Sequence, residues 1–160
     1  MIIGVHHTAI STPDLERLKT FYCELFGLEE VLRSGWEQGN DRIDSVVGLA
    51  GSAAKCVFLR GGNTYLELFE YTHPTPKERD PQQRACDHGF THVCFEVTDI
   101  YAEFERLVRA GMRFQNDAPP VDKHAPMYAA YGFDPDGNIV ELIQFPDREK
   151  GSETVLLSIA

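Results

Sequence analysis

What the chain lacks narrows its chemistry first. Basic residues are scarce: 15 Lys and Arg stand against 25 Asp and Glu, giving a net charge of −10. Gripping nucleic acid or an anionic membrane needs a basic patch, so neither partner is expected. The four cysteines, Cys23, Cys56, Cys86 and Cys94, never fall at CxxC spacing. That removes a redox motif and a zinc knuckle, and the expectation is reduced thiols in a cytoplasmic compartment. No apolar run is long enough to span a bilayer. The opening residues, Met1 to Ile10, alternate in polarity and lack the basic stretch and apolar block of a secretion signal, so no leader is expected.

What is present is ordinary in bulk. The 160 residues amount to one domain, with 42% hydrophobic and 25% charged residues. A chain of this size buries enough apolar surface to fold without a disulfide or a structural zinc.

The pattern along the chain is a repeat. Ile3 to Ser11 reads as a strand. Thr12-Pro13-Asp14 then opens a helix, with Thr12 as N-cap and Pro13 in its first turn. Leu15, Leu18, Phe21, Tyr22, Leu25 and Phe26 continue it at helical spacing, and Gly27 ends it. Leu28 to Gly35 is a strand, and 39–53 reads as a loop carrying a short strand. Lys55 to Arg60 and Tyr65 to Tyr71 form a hairpin around Gly61-Gly62-Asn63. Residues 72–88 are polar and proline-containing, a natural linker.

The pattern then restarts. Phe90 to Val97 is a strand, and Asp99 to Ala110 a helix stopped by Gly111. Met112 to Gln115 is a strand, 116–126 a loop, and Met127 to Phe133 a strand. Asp134-Pro135-Asp136-Gly137 turns the chain into the last strand, Ile139 to Phe145. The expected fold is α+β: two βαβββ modules, 2–71 and 89–145, paired around a curved sheet cavity within one domain spanning 1–160.

The repeat carries chemistry. His7 and His92 sit on the first strand of each module, each followed seven residues later by an aspartate, Asp14 or Asp99. Glu67 and Glu141 sit in the closing strands, flanked at alternate positions by Tyr65 and Phe69, and by Ile139 and Ile143. Burying a carboxylate in such company is costly unless it is paired or metal-bound. Any one of the four taken singly reads as a hydrogen-bonded or solvent-facing residue. Four in register read as one metal site: His7, Glu67, His92 and Glu141, suited to zinc, nickel, cobalt, manganese or iron. His6 competes with His7, but strand alternation sends it to the opposite face with Gly4 and Thr8.

These residues resemble the vicinal oxygen chelate superfamily: the glyoxalases, methylmalonyl-CoA epimerase, extradiol dioxygenases and bleomycin-type resistance proteins. The resemblance runs from His7-Thr8-Ala9-Ile10 through Phe21-Tyr22, Phe26-Gly27-Leu28 and Thr91-His92-Val93 to Asp134-Pro135-Asp136-Gly137-Asn138-Ile139-Val140-Glu141-Leu142. It implies a glyoxalase-like fold and a homodimer. It also implies one divalent metal ion on His7, Glu67, His92 and Glu141, and a small-molecule substrate that chelates through adjacent oxygens. The implied reaction is isomerisation, epimerisation or lysis at a carbon next to a carbonyl. The metal polarises the carbonyl, and Glu141 or Glu67 takes the proton.

Ser11 and Tyr71 stand where glyoxalase I has an arginine and an asparagine, so glutathione recognition is not implied. An alternative follows from the extradiol dioxygenases, which use two histidines and one glutamate around Fe(II). His7, His92 and Glu141 would serve as ligands, with His124 and Tyr131 as catalytic residues in their motif order, ahead of Pro135, Gly137 and Glu141. A second alternative is a non-catalytic binding or drug-resistance protein, which usually loses the metal residues.

Overall fold

The computed structural model describes residues 1–119 and 127–145. The chain divides into two compact units, residues 1–79 and, from residue 80 on, the second module. The first unit runs β1 (His7–Ser11), α1 (Leu15–Phe26), β2 (Glu29–Trp36), α2 (Asp41–Val47), β3 (Ala53–Gly61), β4 (Thr64–His73). The second runs β5 (His92–Glu96), α3 (Ile100–Arg109), β6 (Arg113–Phe114), β7 (Tyr128–Phe133), β8 (Ile139–Gln144). Each holds one four-stranded sheet, ordered β1-β4-β3-β2 and β5-β8-β7-β6. In each the first strand pairs parallel with the last, and the other pairings are antiparallel.

Each helix covers one face of its sheet because its apolar stripe has nowhere else to go. In α1 that stripe is Leu15, Leu18 and Tyr22, buried with Val57 and Leu59 of β3 and Leu66 and Leu68 of β4. In α3 it is Ile100, Phe104 and Leu107, buried with Val140 and Leu142 of β8. The last strand also caps its helix. Glu70 Oε2 accepts from Leu15 N at 2.9 Å, and Gln144 Oε1 accepts from Ile100 N at 2.9 Å. Period-2 alternation then leaves Glu67 and Glu141 on the sheet face away from the helix, since their neighbours Leu66, Leu68, Val140 and Leu142 fill the helix side.

Several boundaries differ from the sequence expectation. The first strand starts at His7, not Ile3, because residues 1–6 carry no strand pairing. The cap of α1 is Asp14, whose carboxylate accepts from Arg17 N at 3.0 Å. Thr12 is instead buried two residues earlier, its Oγ1 accepting from Asp14 N at 3.1 Å. The 39–53 segment carries helix α2, started by Asn40 and stopped by Gly48 at φ 70°. Asp44 of that helix ties the following turn, accepting from Gly51 N, Ser52 N and Ser52 Oγ. No described helix is long and apolar enough to cross a membrane.

Candidate metal centre

Register explains how each histidine meets its glutamate. In the parallel pair of β1 and β4, Ala9 stands opposite Glu67; in the pair of β5 and β8, Cys94 stands opposite Glu141. His7 and His92 lie two residues before Ala9 and Cys94, hence on the same face and one step away. Their rings close the gap. His7 Nε2 lies 3.1 Å from Glu67 Oε2, and His92 Nε2 lies 2.9 Å from Glu141 Oε2. Each glutamate side chain is about nine-tenths shielded, at 11% and 12% exposure, while the imidazoles keep an open side at 36% and 26%. On the other flank of each glutamate stands an aromatic residue, Phe58 opposite Glu67 and Tyr131 opposite Glu141. Phe58 packs edge-on to the His7 ring at 5.3 Å, and Tyr131 lies 5.1 Å from the His92 ring.

The electrostatics follow from this packing. Burial pushes the Glu67 carboxyl up, while the His7 and His6 imidazoles pull it the other way. Burial raises the Tyr131 phenol, with Glu141 and Cys94 adding to it. Tyr71 is raised by burial first and by Glu67 second. Cys94 is pushed up to about 12 by packing around its sulfur, then by the charge and hydrogen bond of Glu141. An imidazole nitrogen and a shielded carboxylate oxygen facing each other are donors that suit a divalent cation. Each unit supplies such a pair, and among the described residues no group of three or more His, Cys, Asp and Glu side chains gathers at one point.

Of the residues singled out in the sequence, His7 with Glu67 and His92 with Glu141 come together within their units, and Tyr131 joins the second pair. His124 lies outside the described residues. His6 departs from its expected face. It precedes β1, so alternation does not govern it; its ring stacks on Tyr65 at 5.1 Å and its Nδ1 lies 2.8 Å from His7 Nδ1. Thr91 carries no site role in the sequence reading beyond its place in Thr91-His92-Val93, yet its Oγ1 lies 2.9 Å from His92 Nδ1. The signal available in the sequence was position: both immediately precede a candidate ligand. Arg60 and Arg113 serve the surface, Arg60 pairing with Glu29 and Arg113 lying 5.7 Å over the Phe133 ring.

The chain is 31% identical to a 2-epi-5-epi-valiolone epimerase from an Actinomyces species, over 90% of this chain and 80% of that one. It is 28% identical to a lactoylglutathione lyase of Neisseria meningitidis, over 96% and 97% of the two chains. Among solved structures, a glyoxalase family protein from Bacillus cereus superposes with a TM-score of 0.78 at 18% identity, covering 90% of this chain and 95% of that one. The family model of the Glyoxalase/Bleomycin resistance protein/Dioxygenase superfamily matches residues 4–142, and the chain belongs to that superfamily.

Proposed function

We propose that His7, Glu67, His92 and Glu141 are the two halves of one donor set for a divalent metal ion. The chain is an enzyme that uses it to isomerise, epimerise or cleave a small metabolite at a carbon next to a carbonyl. The observation that carries this reading is the repeated pair: the same two residue types, at the same strand register, with Nε2 to carboxylate distances of 3.1 and 2.9 Å. Two relatives, an epimerase and a lyase, act in the same chemical class.

When bound, the cation supplies Lewis-acid polarisation of a substrate carbonyl. The chain's own residues do the rest. His7 and His92 would present ring nitrogens to the cation, and the two glutamates would supply carboxylate oxygens. Burial raises Glu67, which suits it to hold a proton taken from the substrate carbon. The aromatic flanks, Phe58 and Tyr131, shield the pairs from water. The enzyme is a cytoplasmic homodimer on this reading, with its two units acting as one glyoxalase-like domain.

The first test is the metal content of protein purified anaerobically without chelators. About one equivalent of nickel, cobalt, zinc or manganese per site, lost in His92→Ala and Glu141→Ala, supports the reading. Full occupancy in those variants overturns it. Predominant ferrous iron moves the assignment to ring-cleaving dioxygenase chemistry, in which Tyr131, 5.1 Å from the His92 ring, would be the candidate catalytic residue.

A further inference from the structure

In both units the residue just before the histidine meets its Nδ1. His6 Nδ1 stands 2.8 Å from His7 Nδ1, and Thr91 Oγ1 stands 2.9 Å from His92 Nδ1. On the far side of each ring, Nε2 faces the carboxylate. A ring held at one nitrogen has its other nitrogen fixed in space, and the proton's place on the first decides whether the second offers a lone pair. We propose that His6 and Thr91 are positioning residues: each holds Nδ1 of the following histidine so that its Nε2 is aimed at, and available to, a metal ion beside Glu67 or Glu141. The inference rests on the metal reading above.

The two contacts are made by side chains of unrelated shape, a planar aromatic ring and a branched hydroxyl. What they share is the ability to donate or accept at the contacting atom. That ability is what the site needs. Without a cation, Nε2–H donates to the carboxylate and Nδ1 accepts from its neighbour. With a cation, Nε2 must be bare, so Nδ1–H donates to the same neighbour. The bond at Nδ1 survives the exchange, and the ring does not have to turn.

His6 is itself anchored, although it lies outside the strand. Its carbonyl accepts from Tyr65 N at 3.3 Å and from Thr64 Oγ1 at 3.2 Å, and its ring stacks on Tyr65 with an interplanar angle of 24°. The start of β4 therefore holds His6, while the body of β4 carries Glu67. One strand sets both sides of the His7 ring.

The test uses the full chain and two readouts. The first is the long-range proton–nitrogen spectrum of histidine-labelled, metal-free protein at alkaline pH, which reports the tautomer of each ring. The second is affinity for Co(II) alone, by competition with a chelating dye. Thr91→Val and His6→Phe leave the proton on Nε2 beside the carboxylate, but are expected to shift the Nδ1 resonance of His92 and His7, respectively, to that of a nitrogen without a hydrogen-bond partner, and to weaken Co(II) binding about 10- to 100-fold. Thr91→Ser and His6→Asn restore a group that both donates and accepts, and are expected to recover both readouts. Val and Phe variants that keep the wild-type ring pattern and Co(II) affinity overturn the proposal. So do Ser and Asn variants that fold with an unchanged backbone amide spectrum and recover neither. Failure of the metal reading looks different: wild-type protein binds no Co(II), while the ring patterns of the metal-free variants still change with Val and Phe and recover with Ser and Asn.

Discussion

Cys94 lies directly across the β5–β8 pair from Glu141, and its thiol hydrogen-bonds that carboxylate. The first unit has Ala9 at the corresponding place, opposite Glu67. Burial of the sulfur first, and the Glu141 charge and hydrogen bond second, make this cysteine unreactive. With the thiol pushed up to about 12, almost no thiolate exists near pH 8, and the thiolate is the nucleophile. Iodoacetamide on metal-free protein is expected to alkylate the exposed Cys86 first and Cys94 on the order of tenfold more slowly or worse. Glu141→Gln removes the neighbouring charge and should speed Cys94 labelling. Peptide mass spectrometry over a time course checks both; equal rates for the two cysteines would contradict the electrostatic account.

The helix caps give a stability prediction. Asp14 accepts from Arg17 N, and Asp99 accepts from Ala102 N at 3.1 Å. Asp14→Ala and Asp99→Ala should each lower unfolding free energy by about 1 kcal/mol. Urea titration followed by circular dichroism measures this. No change in Asp14→Ala would return the cap of α1 to Thr12.

These caps also show what could be read from sequence. Asp99 and Asp14 each follow a histidine by seven residues, and that repeat located both helices. That each module carries one histidine and one glutamate needing a partner was legible, because apolar neighbours at alternate strand positions make an unpartnered carboxylate costly; the direct contact of each histidine with the glutamate of its own unit was not. Helix α2 was not legible. It has seven residues and buries none of them, so no apolar stripe marks it; Asn40 and Gly48 at its ends were its only signals. The start of β1 was misplaced because Ile2, Ile3 and Val5 look like strand residues yet are exposed and unpaired. His6 was misassigned for the same reason, since alternation holds only inside a paired strand.

A surface cluster offers a pH and salt test. Arg33 bonds Glu16 at 2.5 Å and Glu30 at 2.8 Å, and Lys19 bonds Glu16 at 2.7 Å. The Arg33 guanidinium first, and Lys19 second, hold the Glu16 carboxyl down to about 2. A depressed carboxylate stabilises the fold above its ordinary value near 4.5, and that contribution is lost as pH falls toward 2. The Glu16 side chain is 59% exposed, so solvent screens most of it. Glu16→Gln should cost less than about 1 kcal/mol at neutral pH and low salt. The difference should vanish at ~1 M salt. Thermal melts across pH and salt decide; a penalty that persists in high salt would point to packing instead of charge.

Glu67→Gln separates two roles of the same residue. In metal-free protein the charged carboxylate is disfavoured by burial, so its folded pKa lies above the unfolded one. The stability tied to its protonated form is complete below the unfolded value and lost as pH rises through the folded one. At pH 8 the metal-free wild type therefore carries a penalty that the neutral glutamine removes. Metal-free Glu67→Gln should melt at a higher temperature than wild type at pH 8, and the gap should shrink at pH 4. Adding Co(II) should reverse the order, because only the wild type offers a charged oxygen to the cation. Turnover should fall severely with it if Glu67 is a ligand or the base. A Glu67→Gln protein that binds metal and turns over as wild type would remove Glu67 from the donor set, leaving two histidines and Glu141, the arrangement of a ferrous dioxygenase. Melting curves and metal titration on one preparation distinguish these outcomes, since the metal-free gain comes from burial outweighing the pull of His7 and His6, and the metal-dependent loss from ligation.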